Sequence, residues 1–413
     1  MQRVRMSLPY FQKFGWMAEV VTVDPIYGDM VNDDLLAETI PKKVKIHQVK
    51  AFSKKWTSKL GLGSIALRSL WYYKKYIDQL LQKEHFDLIY FSTTQFPVLI
   101  LGRHWKKKFN IPYVIDMQDP WHSTYYDDKP KHERPTKYWF SSRLNKYLEP
   151  IAMKKVGGLI SVSQAYIDTL KERYPNLKQI PTQVITFGAF QPDCDLVKSN
   201  PSYFKLAYTK EVDTINLVYI GRGGHDMKAA VSLLFTAFKK GLVDNKIVFE
   251  KIRFHFIGTS YAPAGQGLPT IKPIADEMDI AKYVNEQTDR ISFYNSIYNL
   301  MSADVLMIIG SDDPQYTASK IYPYILSERP LLAFFHPESS AAQIIKNTNA
   351  GIVISLIDNK ENAILSCYDY LLNLVNHKAE KPQINWRAFE PYTAENMTKN
   401  QVALFDKVLA QKL

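Results

Sequence analysis

The hydrophobic residues of this chain fall into short apolar runs that alternate with longer segments of helical spacing. Short apolar runs of this kind are typical of strands buried in a parallel sheet. In the first half of the chain the predicted strands are 18–23, 44–49, 87–92, 112–117, 157–162 and 183–186. In the second half they are 215–220, 252–257, 304–309, 331–335 and 351–354.

The segments between these strands carry apolar residues at helical spacing. The predicted helices are 4–14, 64–84, 97–109, 137–155 and 164–174, then 227–241, 271–277, 319–327, 339–347, 359–376 and 394–410. Alternating strands and helices predict the α/β class with parallel sheets.

The alternation stops after residue 190 and restarts near residue 213. The intervening stretch is polar and contains Pro192 and Pro201, which is typical of a connection between domains. We therefore predict a first domain over 1–190, a linker over 191–212, a second domain over 213–393 and a final helix over 394–413. A chain of 413 residues is long enough for two separate cores.

The beginning of the chain departs from a doubly wound pattern. Such a sheet normally starts with a central strand and a glycine-bearing loop, but here the predicted helix 4–14 comes first. We expect the first strand to be missing, either because the start is placed late or because the chain is truncated. An in-frame extension of about 20–30 residues would supply it. A variant sheet is the alternative.

The positive charge of the chain is concentrated in one region. The net charge is +11, and residues 41–110 contain 15 Lys and Arg against 3 Asp and Glu. Trp56, Trp71, Tyr72 and Tyr73 lie among these lysines, a mixture that suits the headgroup region of an anionic membrane. The alternative is a solvated helix face. Nucleic acid is not favoured, because no nucleic-acid motif accompanies the charge.

Cysteine content and hydropathy indicate the compartment. Cys194 and Cys367 are too few for a disulfide framework and lack metal-ligand spacing, so we expect buried thiols and a reducing cytoplasm. No apolar run approaches the roughly 20 residues of a membrane-spanning helix, and no signal peptide is evident. We expect a cytoplasmic protein, peripheral on the inner face of the plasma membrane.

Two strand-to-helix connections in the second half carry candidate chemistry. One is Gly221-Arg222-Gly223-Gly224 after the strand 215–220, and the other is Ser319-Lys320 before a predicted helix. Glycines let a backbone approach an anion, and a helix start offers unpaired N–H groups. Arg222, Lys320 and Lys228 add full charges. Two such loops indicate a diphosphate site and hence a nucleotide-linked substrate.

At these loops the chain resembles glycosyltransferases of the GT-B fold. More narrowly it is similar to the family 4-like retaining enzymes that build bacterial surface polysaccharides. The stretches that carry the resemblance are 221–224, 319–322 and 328–332, together with 115–121, 158–163, 185–188 and 302–306.

The resemblance implies two Rossmann-like, doubly wound domains facing a cleft. The first would bind the acceptor and the second the nucleotide sugar, while the final helix would return to the first. It implies transfer of a hexose with retention, without a metal or a cofactor, and we expect a UDP-linked donor. The acceptor would be a polysaccharide or a lipid-linked glycan.

The resemblance also assigns candidate site residues. The catalytic candidates are Asp119, Arg222 and Lys320. The donor-binding candidates are Gly221, Gly223, Gly224, Lys228, Phe293, Tyr316, Thr317 and Ser319. The acceptor-side candidates are Asp116 and His122.

Each assignment has a structural alternative. Asp116 and Asp119 follow a parallel strand, where open sheets bind ligands, but either carboxylate would also serve as a helix cap or in a salt bridge. Phe293 and Tyr294 are equally suited to the core, and Lys228 to a solvated helix face.

Two positions depart from the family. Many relatives carry a pair of glutamates where this chain has Gln315 and Pro323. Two other functions therefore stay open: a degenerate GT-B protein that binds sugar nucleotides or scaffolds a glycan assembly complex, and, third, a sugar-nucleotide epimerase. The epimerase would need a histidine and carboxylate set, and the donor half offers only His225, His255 and His336.

Overall fold

A computed structural model describes residues 2–28, 35–123, 127, 129–130, 133–134, 138–314, 320–376 and 380–411. The chain divides into two compact units. The first comprises Met1–Gly188 with Ala394–Leu413, and the second comprises Ala189–Thr393. The residues expected to form a linker therefore belong to the second unit.

The described part of the first unit contains six short strands. They are β1 Val20–Val23, β2 Ile46–Val49, β3 Ile89–Ser92, β4 Tyr113–Met117, β5 Gly158–Ser161 and β6 Thr182–Val184. Its helices before the second unit are α1 Gln2–Ser7, α2 Leu35–Glu38, α3 Lys54–Thr57, α4 Ile65–Lys83, α5 Ile100–Phe109, α6 Tyr138–Met153 and α7 Gln164–Arg173.

The described strands of the first unit form two parallel sheets instead of one. Strands β3, β4, β5 and β6 pair in that order, and β1 pairs only with β2. In the doubly wound order a first central strand stands between the strands that correspond to β1 and β3. The break in the sheet lies at that place. That residues preceding Met1 supply the strand stays a prediction.

The second unit contains the strands β7 Ile215–Ile220, β8 Ile252–Ile257, β9 Val284–Gln287, β10 Val305–Ile309, β11 Leu331–Phe335 and β12 Ile352–Ser355. Its helices are α8 Gln191–Ser199, α9 Lys228–Asp244, α10 Lys246–Phe249, α11 Lys272–Glu277, α12 Phe293–Ser302, α13 Ile321–Leu326, α14 Ser340–Asn347, α15 Lys360–Asn376 and α16 Trp386–Phe389. The last helix, α17 Ala394–Ala410, belongs to the first unit.

The six strands described in the second unit form one parallel sheet in the order β12-β11-β10-β7-β8-β9. This is the doubly wound order, which reverses direction between β7 and β10. Helices α9 and α15 cover one face around a core rich in phenylalanine, which includes Phe235, Phe238, Phe254 and Phe256. The switch point between β7 and β10 is where such sheets bind ligands, at the carboxyl ends of the strands.

Three of the differences from the sequence prediction have a physical explanation. The predicted helix 4–14 is two pieces, α1 and a 3₁₀ turn over Phe11–Phe14, because Pro9 disfavours helical backbone in the residue before it. The expected linker contains α8. Strand β9 was not predicted, because only its first residue, Val284, is buried and apolar, and the rest is polar.

Helix α17 rests on the sheet of the first unit at two glycines. A Cβ atom on Gly158 would stand 2.7 Å from Cγ2 of Val408 and 3.2 Å from Cδ2 of Leu404. Gly157 is similarly close to Val408. Only a residue without a side chain lets the helix approach β5 this closely.

No helix within the described residues is long and apolar enough to cross a membrane. The same residues contain no cluster of His, Cys, Asp and Glu suited to a metal ion. Both cysteines are buried free thiols, and burial raises the pKa of Cys194 to about 12.

Candidate functional site

The glycine loop leaves β7 at the switch point of the second sheet. The N–H of Gly223 donates to the carbonyl of Thr259, 2.7 Å away, in the loop after β8. A Cβ on Gly223 would lie 2.4 Å from Oγ1 of Thr270, and one on Gly221 would lie 2.7 Å from the hydroxyl of Tyr219 and 3.0 Å from Nζ of Lys320. These glycines are therefore needed for packing, and the packing brings Lys320 against the loop.

Lys320 is a partly buried cation among other cations. Burial lowers the pKa of its ammonium group, and repulsion from Arg222 and Arg290 lowers this pKa further. Among the described residues the ammonium has no hydrogen-bond or ion-pair partner. A half-buried positive charge that carboxylates leave uncompensated is the arrangement expected at an anion site.

Arg222 is held by its own helix start. Its guanidinium makes two parallel hydrogen bonds to Asp226, of 2.9 Å and 2.5 Å, and these lower the pKa of the Asp226 carboxyl. The carbonyl of Arg222 accepts a 2.9 Å hydrogen bond from Tyr219. The carboxylate fixes the direction of the arginine and neutralises part of its charge, so a bound phosphate would share Arg222 with Asp226.

Arg290 is a third cation of this region that the sequence reasoning missed. It follows β9, its Cα lies 3.6 Å from the position of a Cβ on Gly258, and its guanidinium stands 4.6 Å from the ring centre of Tyr261. Within the described residues no carboxylate pairs with it. Because β9 was not predicted, nothing in the sequence indicated that its following loop reaches the carboxyl edge near Lys320.

Glu286 of β9 positions the loop after β8. Its carboxylate accepts hydrogen bonds from the backbone N–H groups of Thr270, Ile271 and Lys272 at 2.7–3.0 Å and from the hydroxyl of Thr259 at 2.7 Å. Thr259 in turn accepts the Gly223 N–H. Glu286 thus caps α11 and holds this loop against the glycine loop.

The remaining donor candidates differ in their exposure, and some of them lie outside the described residues. Lys228 is exposed at the first position of α9, and Gly224 precedes a 3₁₀ turn over His225–Met227 that leads into this helix. Phe293 is half-buried at the first position of α12. Its neighbour Tyr294 is fully buried and donates to Asp193, which makes Tyr294 a core residue. Gln315, Tyr316, Thr317 and Ser319 lie outside the described residues.

The helix after Lys320 begins later and is shorter than predicted. Helix α13 covers Ile321–Leu326, and Pro323 occupies its third position. The N–H groups of the first turn have no partner within a helix, so proline is accommodated there. The carbonyl of Pro323 accepts from Ser327, which closes the helix. The fold survives this residue, while its ring offers no hydrogen-bonding group.

On the acceptor side, Asp116 lies inside a buried network at the end of β4. Its Oδ2 is 2.8 Å from Nε of Arg3, and it accepts hydrogen bonds from Ser92 at 2.8 Å and Gln118 at 2.7 Å. Arg3 also donates to the carbonyls of Ile185 and Thr186 after β6. Asp116 therefore connects α1 to the ends of the strands. This is the salt bridge that the sequence analysis gave as the structural alternative for Asp116.

Asp119 and His122 lie beyond this network. Asp119 is largely exposed, and partial burial of its carboxyl raises its pKa. His122 is half-buried; its N–H donates to Glu149 at 2.9 Å and its carbonyl accepts from Arg173 at 3.2 Å. Glu149, buried on α6, thus fixes the backbone at His122. The imidazole ring of His122 takes no part in these two hydrogen bonds. A carboxyl with a raised pKa is better suited than Asp116 to exchange a proton.

Part of the first unit matches a known protein family. Residues 41–188 match the family model described as Glycosyltransferase Family 4. None of the curated proteins matches the chain in sequence.

Several solved structures match almost the whole chain. HepE from Anabaena in complex with UDP is 12% identical, with a TM-score of 0.53 over 98% of this chain and 94% of its own. A glycosyltransferase from Rickettsia africae is 14% identical, with a TM-score of 0.55 over 99% and 94%. A UDP-forming trehalose-phosphate synthase from Burkholderia xenovorans, with glucose-6-phosphate, is 9% identical, with a TM-score of 0.55 over 98% and 96%.

The chain has the GT-B fold. The predicted α/β class with two Rossmann-like domains is confirmed, and so is the resemblance to family 4 glycosyltransferases, which the family model carries over residues 41–188. At these identities the solved structures establish the fold alone.

The three histidines named for an epimerase belong to different parts of the second unit: His225 follows β7, His255 lies within β8 and His336 follows β11. His255 is buried on β8, its Nε2 is 2.9 Å from Oδ1 of Asn216, and burial lowers its pKa to about 4. It lies within β8 and packs against Tyr208, with ring centres 4.4 Å apart and ring planes tilted by 30°. His225 is exposed and His336 lies in the loop after β11.

Proposed function

We propose that this GT-B protein is a glycosyltransferase that transfers a sugar from a nucleotide-sugar donor to a glycan or lipid-linked glycan. The observation that carries the proposal is the group of cations at the switch point of the second unit. The ammonium group of Lys320 lies against Gly221, and repulsion from Arg222 and Arg290 lowers its pKa. Sugar transfer leaves negative charge on the departing diphosphate, and fixed cations at that place stabilise it.

The division of tasks follows the fold. The second unit would hold the donor, with the diphosphate at Lys320 and Arg290 and with Arg222 shared between phosphate and Asp226. The first unit would present Asp119 and His122 to the acceptor. In this proposal transfer occurs with retention, needs no metal or further cofactor, and uses a hexose.

UDP is the proposed nucleotide. Two of the structural neighbours are described with UDP or as UDP-forming. The acceptor is proposed to be polysaccharide or lipid-linked because of the lysine-rich first unit, and the protein would then work at the inner face of the plasma membrane.

A second candidate function is a sugar-nucleotide-binding protein without transferase activity. The observation in its favour is Pro323, which stands where relatives carry a glutamate and has no group that would bind a ribose hydroxyl. The third candidate, an epimerase, has less support, because His255 is enclosed by Asn216 and Tyr208.

Titration calorimetry with UDP, GDP, ADP and dTDP tests the donor site. We expect one nucleotide to bind, and we expect Lys320→Ala to weaken its binding by about 1.5–3 kcal/mol, the usual contribution of a hydrogen bond to a charged group. Lys240→Ala is the matched control, because Lys240 is paired with Asp244 on the outer part of α9. Equal affinity in wild type and Lys320→Ala would refute the assigned diphosphate site.

Measuring the release of the nucleoside diphosphate from the corresponding sugar nucleotide then distinguishes a transferase from a binding protein without transferase activity. Release that requires a glycan acceptor would establish a transferase. Tight binding without release on any acceptor would favour the binding protein.

A further inference from the structure

Aromatic side chains are exposed among the lysines of the first unit. Trp56 on α3 is 73% exposed, Trp71 on α4 is 51% exposed and Phe52 just before α3 is 46% exposed. Phe52 and Trp71 are in contact, with ring centres 6.2 Å apart. Two large rings that are about half exposed and in contact form an apolar patch, and exposed apolar patches often mark an interaction site.

Lysines frame these rings. Nζ of Lys59 lies 5.2 Å from the ring centre of Trp56, and Nζ of Lys75 lies 5.1 Å from that of Trp71. Lys55 is exposed beside Trp56. Among the described residues none of these three lysines pairs with a carboxylate. We call Phe52, Trp56 and Trp71 with Lys55, Lys59 and Lys75 the aromatic–lysine surface.

A buried arginine holds this surface in place. Arg68 of α4 donates to the carbonyl of Phe52 at 2.8 Å, to that of Tyr27 at 2.8 Å and to that of Gly63 at 3.2 Å. The N–H of Phe52 donates to the carbonyl of Arg68 at 3.0 Å. The segment that carries Trp56 is thus fastened at both ends to α4, and its rings are presented in a fixed arrangement.

We propose that the aromatic–lysine surface docks the protein on an anionic lipid bilayer. Tryptophan is suited to the interfacial region, where its ring is buried and its N–H stays near polar groups. Lysines beside it gain the attraction of lipid phosphates within a Debye length. The rings and lysines of the fastened segment and of α4 suit a bilayer, which has negatively charged headgroups at its surface and apolar chains beneath them.

This proposal does not require the proposed transferase activity. Nucleotide binding concerns the second unit and vesicle binding the first, so either can fail while the other stands. If both hold, the aromatic–lysine surface would bring the enzyme to lipid-linked acceptors.

Co-sedimentation of the full chain with vesicles tests the docking. Vesicles of phosphatidylcholine alone are compared with vesicles that also contain phosphatidylglycerol, at about 0.1 M and about 1 M salt, where the Debye length falls from about 10 Å to about 3 Å. We expect binding only to the anionic vesicles and only at low salt. Replacing Lys55, Lys59 and Lys75 together by Gln should lower the partition coefficient by about 100-fold.

Matched variants separate this surface from charge and aromaticity in general. Trp56→Ala should lower partitioning by about tenfold, whereas Trp139→Ala, at a 65% exposed tryptophan of α6, should leave it unchanged. Neutralising Lys239, Lys240 and Lys246 of the second unit is the charge control. Partitioning that falls equally in the controls, or that is absent from anionic vesicles, overturns the proposal; so does tighter binding to a DNA duplex than to vesicles.

Discussion

At the scale of single residues, the two aspartates after β4 are only three positions apart yet lie in different surroundings. Asp116 is buried and paired with Arg3, while Asp119 is largely exposed and its carboxyl pKa is raised by partial burial. Burial and the Asp116 carboxylate also raise the pKa of Tyr90, whose hydroxyl therefore stays protonated and donates to Asp116. The same residue type thus has a structural task at one position and is available for chemistry at the other.

Replacing each aspartate by asparagine distinguishes these tasks. Asp116→Asn should lower the free energy of unfolding by about 3–5 kcal/mol, because it leaves the buried guanidinium of Arg3 without a counter-charge. Asp119→Asn should leave unfolding nearly unchanged and slow sugar transfer by about 100-fold or more if Asp119 exchanges a proton with the acceptor. Urea unfolding and initial rates measure the two effects. A full transfer rate in Asp119→Asn would remove this residue from the mechanism.

At the scale of elements, single carboxylates fasten pairs of helices and loops. Asp78 of α4 accepts hydrogen bonds from Lys108 and Trp105 of α5 and from Lys74 one turn earlier. Glu149 does the same between α6 and the segment after α7, and Glu286 between β9 and α11. Each carboxylate compensates donors that would otherwise lose their partners on burial.

The pair of helices held by Asp78 should be sensitive to acid. Burial alone would raise the pKa of Asp78, but hydrogen bonds from Lys108, Lys74, Trp105 and His104 lower it to about 2. The folded pKa lies below the ordinary value of 3.8, so this stabilisation is complete above about pH 4 and is lost as the pH falls towards 2. It amounts to about 1–2 kcal/mol.

Asp78→Asn should remove that part of the acid dependence. Urea unfolding at pH 7 and at about pH 3 would show it as a smaller difference between the two pH values in the variant than in wild type. Asp87→Asn, at an exposed carboxylate before β3, is the control. An identical pH dependence in wild type and Asp78→Asn would contradict the assignment.

At the scale of the whole molecule, the end of the chain completes the first unit. Helix α17 follows the second unit in sequence but packs on β5 and near α1, with the ring of Trp16 5.3 Å from that of Phe405. The packing of β5 and α1 against α17 is therefore completed only after the second unit has been made. The second unit contains its sheet and its cations within one continuous segment.

Leu404→Ala tests this dependence. Leu404 is buried on α17 against Gly158, and its truncation should destabilise the first unit by about 2–5 kcal/mol. Nucleotide affinity, which we assign to the second unit, should remain. Thermal unfolding and calorimetry on the same sample measure both, with exposed Lys407→Ala as the control. Loss of nucleotide binding together with stability would show that the two units do not behave separately.

The sequence predicted most of the fold because buried parallel strands are short and apolar. Strands β7, β8 and β11 have the predicted bounds, and those of α17 agree as well. The sequence missed elements that polar side chains hold in place, such as β9 and α8, whose Asp193 accepts a hydrogen bond from buried Tyr294. Such contacts involve residues far apart in the chain and leave no periodic pattern.

The candidate site also has a part that the sequence predicted and a part that it did not. The glycine loop and Lys320 were found from the sequence, because an anion site needs glycine and positive charge next to a strand end. The sequence did not show that Arg290 lies near Lys320, nor that the guanidinium of Arg222 donates two hydrogen bonds to Asp226. By itself the sequence determined the α/β alternation, the two units and the charge-rich segments, since these depend on local composition and period. Only the tertiary structure decided which charges meet, because side chains from distant strands and loops are brought together at the carboxyl edge of a sheet only when that sheet has formed.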